Sequence, residues 1–353
     1  MASVQDCGPL RPVRLLSLDG GGIRGISELT ILAEIMHRVK VEQQLDVVPL
    51  PAGYFDMICG TSTGGLIAIL LGRLRFSVAE AIEQYGVFAE KVFSSRKIKG
   101  QDGSFKASRL EEVIKEVICK KLGEGHEEEK MYESEAGESE CKTFVCAASA
   151  KSLKSSPRLF RTWMSNINPS ENCTIWEACR ATTAAPTFFK SIRIGRPGVQ
   201  EEFVDAGLGC NNPVKQLLLE ACQEFGKDRP VSCIVSIGTG KARVIRLNKP
   251  RGLDRWIHRD LVGALAKMAT DSEEVAREME RRFEDRKGPY FRLNVDQGLE
   301  DITMEDWEKL GEVATHTKNY IVDNGSARAA VERIVAALVG KPLEMYQLGQ
   351  LGN

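Results

Sequence analysis

Residues 60–64 read Gly-Thr-Ser-Thr-Gly and fit the pattern G-x-S-x-G. In that pattern a serine lies on a tight turn between a strand and a helix, where its hydroxyl can attack a carbonyl carbon. The pattern is weak by itself, because a chain of 353 residues with 32 glycines matches it by chance about one time in five. It predicts Ser62 as a nucleophile for acyl transfer, and the alternative is a glycine turn that only packs a helix on a sheet.

A second glycine-rich turn, DGGGIRG at residues 19–25, also joins a predicted strand to a predicted helix. Consecutive backbone N–H groups at the start of a helix attract an anion. The charge that develops on a tetrahedral intermediate is such an anion, and one donor lowers the barrier by about 3 kcal/mol. We therefore expect the N–H groups of Gly20, Gly21 and Gly22 to form an oxyanion hole.

The same turn satisfies the dinucleotide-binding pattern G-x-G-x-x-G through Gly20, Gly22 and Gly25. That pattern needs an acidic residue at the end of a strand roughly 20 residues further on. Asp46 is the candidate, but it precedes prolines and follows no clear strand. No Gly-Lys-Ser or Gly-Lys-Thr follows either glycine turn, which excludes a P-loop.

The general base for Ser62 is not evident from residue type alone. Histidine is the usual base for a serine nucleophile, and the chain has only His37, His126, His258 and His316, none of them after a recognisable strand. A conventional Ser-His-Asp esterase would have to recruit His258 or His316. This esterase is retained as an alternative function.

Four segments together resemble a known family: DGGGIRG at 19–25, GTSTGG at 60–65, ATTAAPTFF at 181–189 and FVDAGLGCNNP at 203–213. In this order they resemble the patatin-like phospholipases from about residue 13 to about residue 237. The resemblance implies that Asp205 is the base, in the position of the family's Asp-Gly-Gly or Asp-Gly-Ala motif. It also implies that Ser62 attacks a lipid ester and forms an acyl-enzyme, which water then hydrolyses.

The chemistry sets two conditions on Asp205. A free aspartate has a pKa near 3.9 and is a poor base at neutral pH, so burial beside Ser62 must raise its pKa. Ala206 stands where the family usually has glycine, and a positive φ there would cost about 1 kcal/mol. Such strain would disable the site and leave a non-catalytic lipid-binding module, which is a second alternative function.

Arg24 is a candidate for substrate binding because it lies at the start of the predicted helix, next to the glycine turn. A guanidinium there can neutralise a phosphate headgroup. The alternative is a surface arginine that caps nearby carbonyl groups.

The elements around these residues follow from the apolar patterning. Strands are predicted at 13–18 and 54–59, each followed by a glycine turn and a helix, which indicates a parallel sheet covered by helices. Further strands are predicted at 143–148, 158–163 and 232–237, and a helix at 174–183. Ser108 with Glu111 predicts a capping box before a helix that ends near Gly123. Helices are also predicted at 264–285, 305–320 and 326–339.

The predicted fold class is α/β. With the resemblance it becomes a three-layer α/β/α patatin-like fold, with a mainly parallel central sheet and extra C-terminal helices. We expect one domain over residues 1–353 with a motif-bearing core at 13–237. Residues 123–142, rich in glutamate, predict an acidic flexible insertion. Residues 261–353 predict a helical extension packed on the core.

Composition limits the partners and the compartment. The 48 basic and 49 acidic residues nearly balance, so no nucleic acid partner is expected. Ten cysteines are scattered through the chain, which is typical of reduced thiols in a cytoplasmic protein. No metal-ligand spacing or calcium loop occurs, so no metal, calcium or other cofactor is expected.

Membrane contact, if any, is expected to be peripheral. The longest apolar stretch, residues 66–71, is too short to span a bilayer, and the N-terminus lacks the pattern of a signal peptide. Basic and apolar residues alternate over 241–259, which suits either a lipid surface or a solvated loop. The resemblance implies a phospholipid or other glycerolipid as substrate, and the oligomeric state is left open.

Overall fold

The computed structural model describes residues 11–94, 105–132, 141–152, 155–166, 172–186, 188–241, 271–283, 288–341 and 346–351. Their strands form one nine-stranded sheet. In chain order these are β1 (Val13–Leu18), β2 (Met57–Thr61), β3 (Lys142–Ser149), β4 (Arg158–Arg161), β5 (Ile192–Ile194), β6 (Glu201–Asp205), β7 (Pro230–Ile237), β8 (Tyr290–Leu293) and β9 (Tyr346–Gln347).

The sheet has the order β5-β6-β3-β2-β1-β7-β8, with β4 paired to β3 and β9 paired to β7. The five strands from β3 to β8 along this order are parallel, and the other pairings are antiparallel. All residues of β1 and β2 are buried, as expected for central parallel strands covered on both faces. Because parallel strands end at one edge, the two glycine turns that follow β1 and β2 lie side by side.

The helices are α1 (Ile26–Glu42), α2 (Thr63–Ala68), α3 (Val78–Phe93), α4 (Ala107–Leu122), α5 (Ile175–Thr182), α6 (Gly207–Cys210), α7 (Val214–Phe225), α8 (271–283), α9 (Leu310–Asp323), α10 (Gly325–Leu338) and α11 (Leu348–Leu351). A short π-helix, Ile69–Arg73, continues α2. Short 3-10 helices lie at Gly22–Gly25, Pro51–Gly53 and Trp307–Lys309.

Two apolar cores lie on the two faces of the sheet. Along β1, Leu16 and Leu18 point into the larger core, which α1, α3, α4, α5, α9 and α10 cover. Val13 and Leu15 point into the smaller core, which α7, α8 and α11 cover. This alternation follows from the two-residue period of a strand. The predicted α/β fold with a mainly parallel sheet between helical layers is confirmed.

The predicted capping box at Ser108 and Glu111 is wrong. The helix α4 begins at Ala107, its N-cap Lys106 makes no side-chain capping bond, and Ser108 lies inside the first turn. Glu111 instead forms an ion pair with the buried Arg180, at 3.1 Å. The i, i+3 spacing of a capping box also occurs within helices, so the pattern alone could not place the helix start.

The first part of the predicted acidic insertion is more closely packed than expected. Met131 is buried, Glu129 forms an ion pair with Arg73 at 3.1 Å, and Lys130 forms a β-bridge with Thr174. These contacts attach residues 129–131 to the body of the fold. The remaining part, 133–140, lies outside the described residues.

The sequence predicted a mainly helical C-terminal part, and the described residues of this part also contain two strands. Helices α9 and α10 correspond to the predicted helices and pack against α1. However, β8 extends the central sheet in parallel beside β7, and β9 pairs with β7 in antiparallel. With only four residues, β8 is too short for a periodicity argument to detect.

Within the described part of the chain, no helix is both long and apolar enough to cross a membrane. The nine cysteines of these residues are all free thiols, and most are buried. The basic stretch predicted at 241–259 lies, apart from Lys241, outside the described residues.

Candidate active site

Ser62 lies on the turn between β2 and α2 with φ +55° and ψ −127°. A non-glycine residue in this region is strained by about 1–3 kcal/mol and needs surrounding contacts to hold it there. The Ser62 N–H donates to Thr182 Oγ1 at 2.9 Å, and the Thr182 hydroxyl donates to the Cys146 carbonyl at 2.7 Å. The strained turn is therefore tied to α5 and, through it, to β3.

The glycines beside Ser62 are required by close backbone contacts. A Cβ at Gly60 would lie 2.1 Å from the Gly64 carbonyl oxygen, and a Cβ at Gly64 would lie 2.3 Å from the Asp19 carbonyl oxygen. Distances this short cannot be relieved by a side-chain rotation because the obstacles are backbone atoms. A larger residue at position 60 would distort the serine turn itself, and one at position 64 would separate this turn from the end of β1 and the glycine-rich turn.

Asp205 is the last residue of β6 and is almost completely buried. The Gly207 N–H donates to Asp205 Oδ1 at 2.8 Å, and no described residue donates a hydrogen bond of normal geometry to Oδ2. Burial raises the pKa of Asp205 to about 7, although the nearby Ser62 hydroxyl and the Gly207 N–H favour the charged form. A carboxylate with this pKa can accept a proton near neutral pH.

Ala206 adopts an ordinary conformation, with φ −78° and ψ −2°. Ala206 therefore does not have the positive φ that would strain an alanine. Its methyl group packs into the smaller core. Alanine in place of the family's glycine leaves the backbone around Asp205 undistorted.

Ser62 and Asp205 line one cavity. Thr63 and Gly22 line the same cavity, and most other lining side chains are apolar: Phe88, Phe93, Phe188, Phe189, Leu208 and Met304. The residues that the sequence predicted as nucleophile and base are thus brought together. An apolar lining of this kind excludes water and favours a hydrocarbon substrate.

The three predicted oxyanion donors are not equivalent. The Gly20 N–H donates to the Asn211 carbonyl at 3.2 Å, and the Gly21 N–H donates to Thr63 Oγ1 at 3.1 Å. Gly22 has φ +61°, lines the cavity, and its N–H donates to no described residue. Of these three N–H groups, that of Gly22 alone has no acceptor among the described residues, and the predicted role of all three stays a prediction.

Arg24 is buried rather than exposed. Its Nε lies 3.5 Å from the Gly21 carbonyl oxygen, and burial lowers its pKa to about 10. Arg24 does not line the cavity that contains Ser62. Its contact with a phosphate headgroup stays a prediction.

None of the three described histidines lines the cavity. His37 and His126 are exposed, and His126 pairs with Glu129 at 3.1 Å. His316 is half-buried and packs beside Gly298. His258, the other histidine named for a Ser-His-Asp esterase, lies outside the described residues.

Sequence reasoning missed two residues that hold the glycine-rich turn. The Asn211 side chain donates to the Gly20 carbonyl at 3.0 Å, and it lies within one of the four motif segments. Arg292 on β8 donates to both carboxylate oxygens of Asp19, at 3.0 and 2.7 Å, across 273 residues of sequence. A polar residue in a motif was a usable signal for Asn211, whereas nothing local in the sequence indicates Arg292.

The fold and this site define an α/β protein with a serine on a strand–helix elbow and a buried aspartate beside it. Residues 16–218 match the family model described as patatin-like phospholipase. This match covers more than half of the chain. The chain belongs to the patatin-like phospholipase family.

Calcium-independent phospholipase A2-gamma of Oryctolagus cuniculus is 27% identical over 344 residues, which cover 92% of this chain and 40% of that protein. Patatin-like protein 3 of Arabidopsis thaliana is 31% identical over 271 residues, which cover 69% of this chain and 62% of that protein. The crystal structure of VipD from Legionella pneumophila aligns with 96% of this chain and 68% of its own, at 10% identity and a TM-score of 0.41. This chain spans about 40% of the length of the phospholipase A2-gamma proteins that it matches.

Proposed function

We propose that this protein is a lipid acyl hydrolase of the phospholipase A type, which cleaves glycerolipid ester bonds. The observation that carries the proposal is the shared apolar cavity of Ser62 and Asp205, with the pKa of Asp205 raised to about 7. Membership of the patatin-like phospholipase family and relatives named as phospholipases support a lipid ester as substrate.

In the proposed first step, Ser62 Oγ attacks the ester carbonyl carbon while its proton passes to Asp205. The carbonyl oxygen becomes negative and accepts hydrogen bonds from the glycine-rich turn, with Gly22 N–H as the unengaged donor. Collapse of the intermediate breaks the ester bond, and Asp205 returns the proton to the departing alcohol. The products are an acyl group bound to Ser62 and a lysolipid.

In the second step, a water molecule attacks the acyl-enzyme and gives its proton to Asp205. Collapse of this second intermediate releases the fatty acid and returns the proton to Ser62 Oγ. The strained turn supports both steps because it holds the hydroxyl at the cavity surface instead of within a helix. An aspartate that titrates near neutral pH can serve as base and as acid in turn.

The proposal is tested by fatty acid release from mixed phospholipid vesicles, with calcium chelated. We expect Ser62→Ala and Asp205→Asn each to lower kcat by at least about a thousandfold, and His258→Ala and His316→Ala to leave it unchanged. Circular dichroism of each variant establishes that it is folded.

Two outcomes would contradict the proposal in different ways. Loss of activity in His258→Ala, with Asp205→Asn still active, would indicate a Ser-His-Asp esterase. No release from any lipid by the unmodified protein, although it binds vesicles, would indicate a non-catalytic lipid-binding module.

We also propose that the protein contacts membranes peripherally while it acts, since its proposed substrate is a membrane lipid. Cosedimentation with anionic and with neutral vesicles tests this contact. Anionic vesicles are expected to retain more protein if the basic residues of 241–259 take part. Equal binding to anionic and neutral vesicles would show that residues 241–259 do not contribute to membrane contact through their charge.

A further inference from the structure

A second apolar cavity lies beside the first. Residues of α2, the π-helix, α3, α4 and α5 line it. Its lining is buried: Leu66, Ile69, Leu70, Leu74, Gln84, Tyr85, Phe88, Ile114, Val117, Ile118, Ile175 and Cys179. The only amide among these side chains, Gln84, donates to Glu83 at 3.3 Å.

The chemistry of this lining indicates what the cavity can hold. Protein interiors are close-packed, and voids larger than a water molecule are few. A buried water needs two to four polar partners, which an apolar lining does not supply. The fitting occupant is therefore hydrocarbon.

Phe88 connects the two cavities, because its side chain lines both. The helix α2 also joins them, since it begins directly after Ser62 and presents Leu66 to the second cavity. Four residues of helix span about 6 Å. The second cavity thus lies within one acyl-chain length of the proposed nucleophile, behind the Phe88 ring.

The π-helix shapes the second cavity. The Leu74 N–H donates to the Ile69 carbonyl at 2.9 Å, which is the wide i+5 bond of this conformation. Such segments are rare in proteins, but those that do occur often lie at functional sites. Ile69 and Leu70 of this segment line the cavity.

We infer that the second cavity receives the distal end of a long fatty acyl chain whose ester carbonyl lies at Ser62. Phe88 divides the acyl site into a proximal part, the cavity with Ser62 and Asp205, and a distal part. The inference rests on the proposed function. Short acyl chains end in the proximal part, and only long chains displace the Phe88 ring and enter the distal part.

The first arm of the test measures kcat/KM on p-nitrophenyl esters from butyrate to palmitate. Val117→Phe and Leu70→Phe fill the distal cavity, and we expect each to lower the palmitate-to-butyrate ratio about tenfold. Phe88→Ala removes the barrier and should raise that ratio. The matched control is Val87→Phe, an exposed position next to Phe88 that lines neither cavity and should leave the ratio unchanged.

The second arm needs no catalysis. Binding of octanoate and palmitate to Ser62→Ala protein is measured by calorimetry, with and without Val117→Phe. We expect Val117→Phe to weaken palmitate binding about tenfold, because at least one or two methylene groups lose their apolar site. The affinity for octanoate should not change.

The activity and binding measurements together distinguish the inferred acyl site from the proposed hydrolase function. If no ester is cleaved but palmitate binding still depends on Val117, the hydrolase proposal fails and the acyl site stands. If the Val117 and Leu70 variants leave both the activity ratio and palmitate binding unchanged, the distal site is refuted. A uniform loss on all chain lengths, with unchanged palmitate binding, would likewise refute it.

Discussion

Ser62 has a backbone conformation that glycine would adopt without strain, at φ +55°. Replacement by glycine relieves this strain, whereas replacement by alanine keeps it. We expect Ser62→Gly to be more stable to urea than Ser62→Ala by about 1 kcal/mol, with both inactive. The reverse order of stability would show that the surrounding contacts hold the turn without strain.

Asp205 links activity to pH through its pKa of about 7. As the proposed base it must be ionised, so kcat/KM should rise with pH and level off above about 7. A histidine base would produce a similar profile. The control is therefore Asp205→Glu, which should retain some activity and a shifted profile if the carboxylate is the titrating group.

The same pKa predicts a stability change of opposite sign. The folded state holds the Asp205 proton up to about pH 7, whereas the unfolded chain loses it near 3.8. Between these values the folded state binds more protons, so raising the pH destabilises it. Urea unfolding should show wild type losing roughly 4 kcal/mol relative to Asp205→Asn as pH rises through this window. A constant difference between the two proteins would refute the raised pKa.

A glycine substitution tests the backbone conformation of Ala206. Because φ is −78°, glycine gains nothing there and adds freedom to the unfolded chain. We expect Ala206→Gly to destabilise the protein by about 1 kcal/mol and to leave kcat unchanged. An increase in kcat would mean that alanine does displace Asp205.

At the level of secondary structure, the glycine-rich turn is held by elements far away in sequence. Arg292 of β8 forms a buried, two-bond ion pair with Asp19 at the end of β1. The Thr239 hydroxyl donates to the Gly20 carbonyl at 3.2 Å, and the Ile23 N–H donates to the Met304 carbonyl at 2.9 Å. Three segments that follow the family-matched region therefore hold this turn.

Breaking the buried pair should be costly. Arg292→Met leaves the Asp19 charge unpaired in the interior, and we expect a loss of about 3–5 kcal/mol in the free energy of unfolding. Arg193→Met, which breaks the exposed pair with Glu202 at 3.5 Å, should cost less than about 1 kcal/mol. If Arg292→Met and Arg193→Met destabilise the protein equally in thermal unfolding, the pair of Asp19 with Arg292 does not stabilise it as expected. Partial recovery in Asp19→Asn/Arg292→Met would support it.

For the molecule as a whole, we expect the part of the chain up to residue 237 to need the C-terminal elements in order to fold. Helices α9 and α10 cover one face of α1, and β8 covers the edge of β7. We expect a chain that ends at residue 237 to expose these surfaces and to aggregate, while a chain that ends at residue 351 stays monodisperse or keeps its native assembly. Size-exclusion chromatography and circular dichroism compare the two. A soluble, cooperatively folded shorter chain would contradict this expectation.

Local pattern was sufficient for most of the fold. The strand predicted at 13–18 is β1 to the residue, and the helices α5 and α10 lie within one residue of their predicted bounds. These elements have strong apolar periodicity or glycine turns, whose requirements are met within a few neighbouring residues. The order of four motifs was likewise enough to nominate Ser62 and Asp205.

Long-range packing decided what local pattern could not. The φ of Ala206, the occupied N–H groups of Gly20 and Gly21, and the burial of Arg24 depend on neighbours distant in sequence. The Asp19–Arg292 pair and the distal cavity arise only when separate helices and strands meet. The spacing of motif residues indicates the backbone conformations that the turns need. Burial, pKa values and cavity shape depend on the folded chain as a whole.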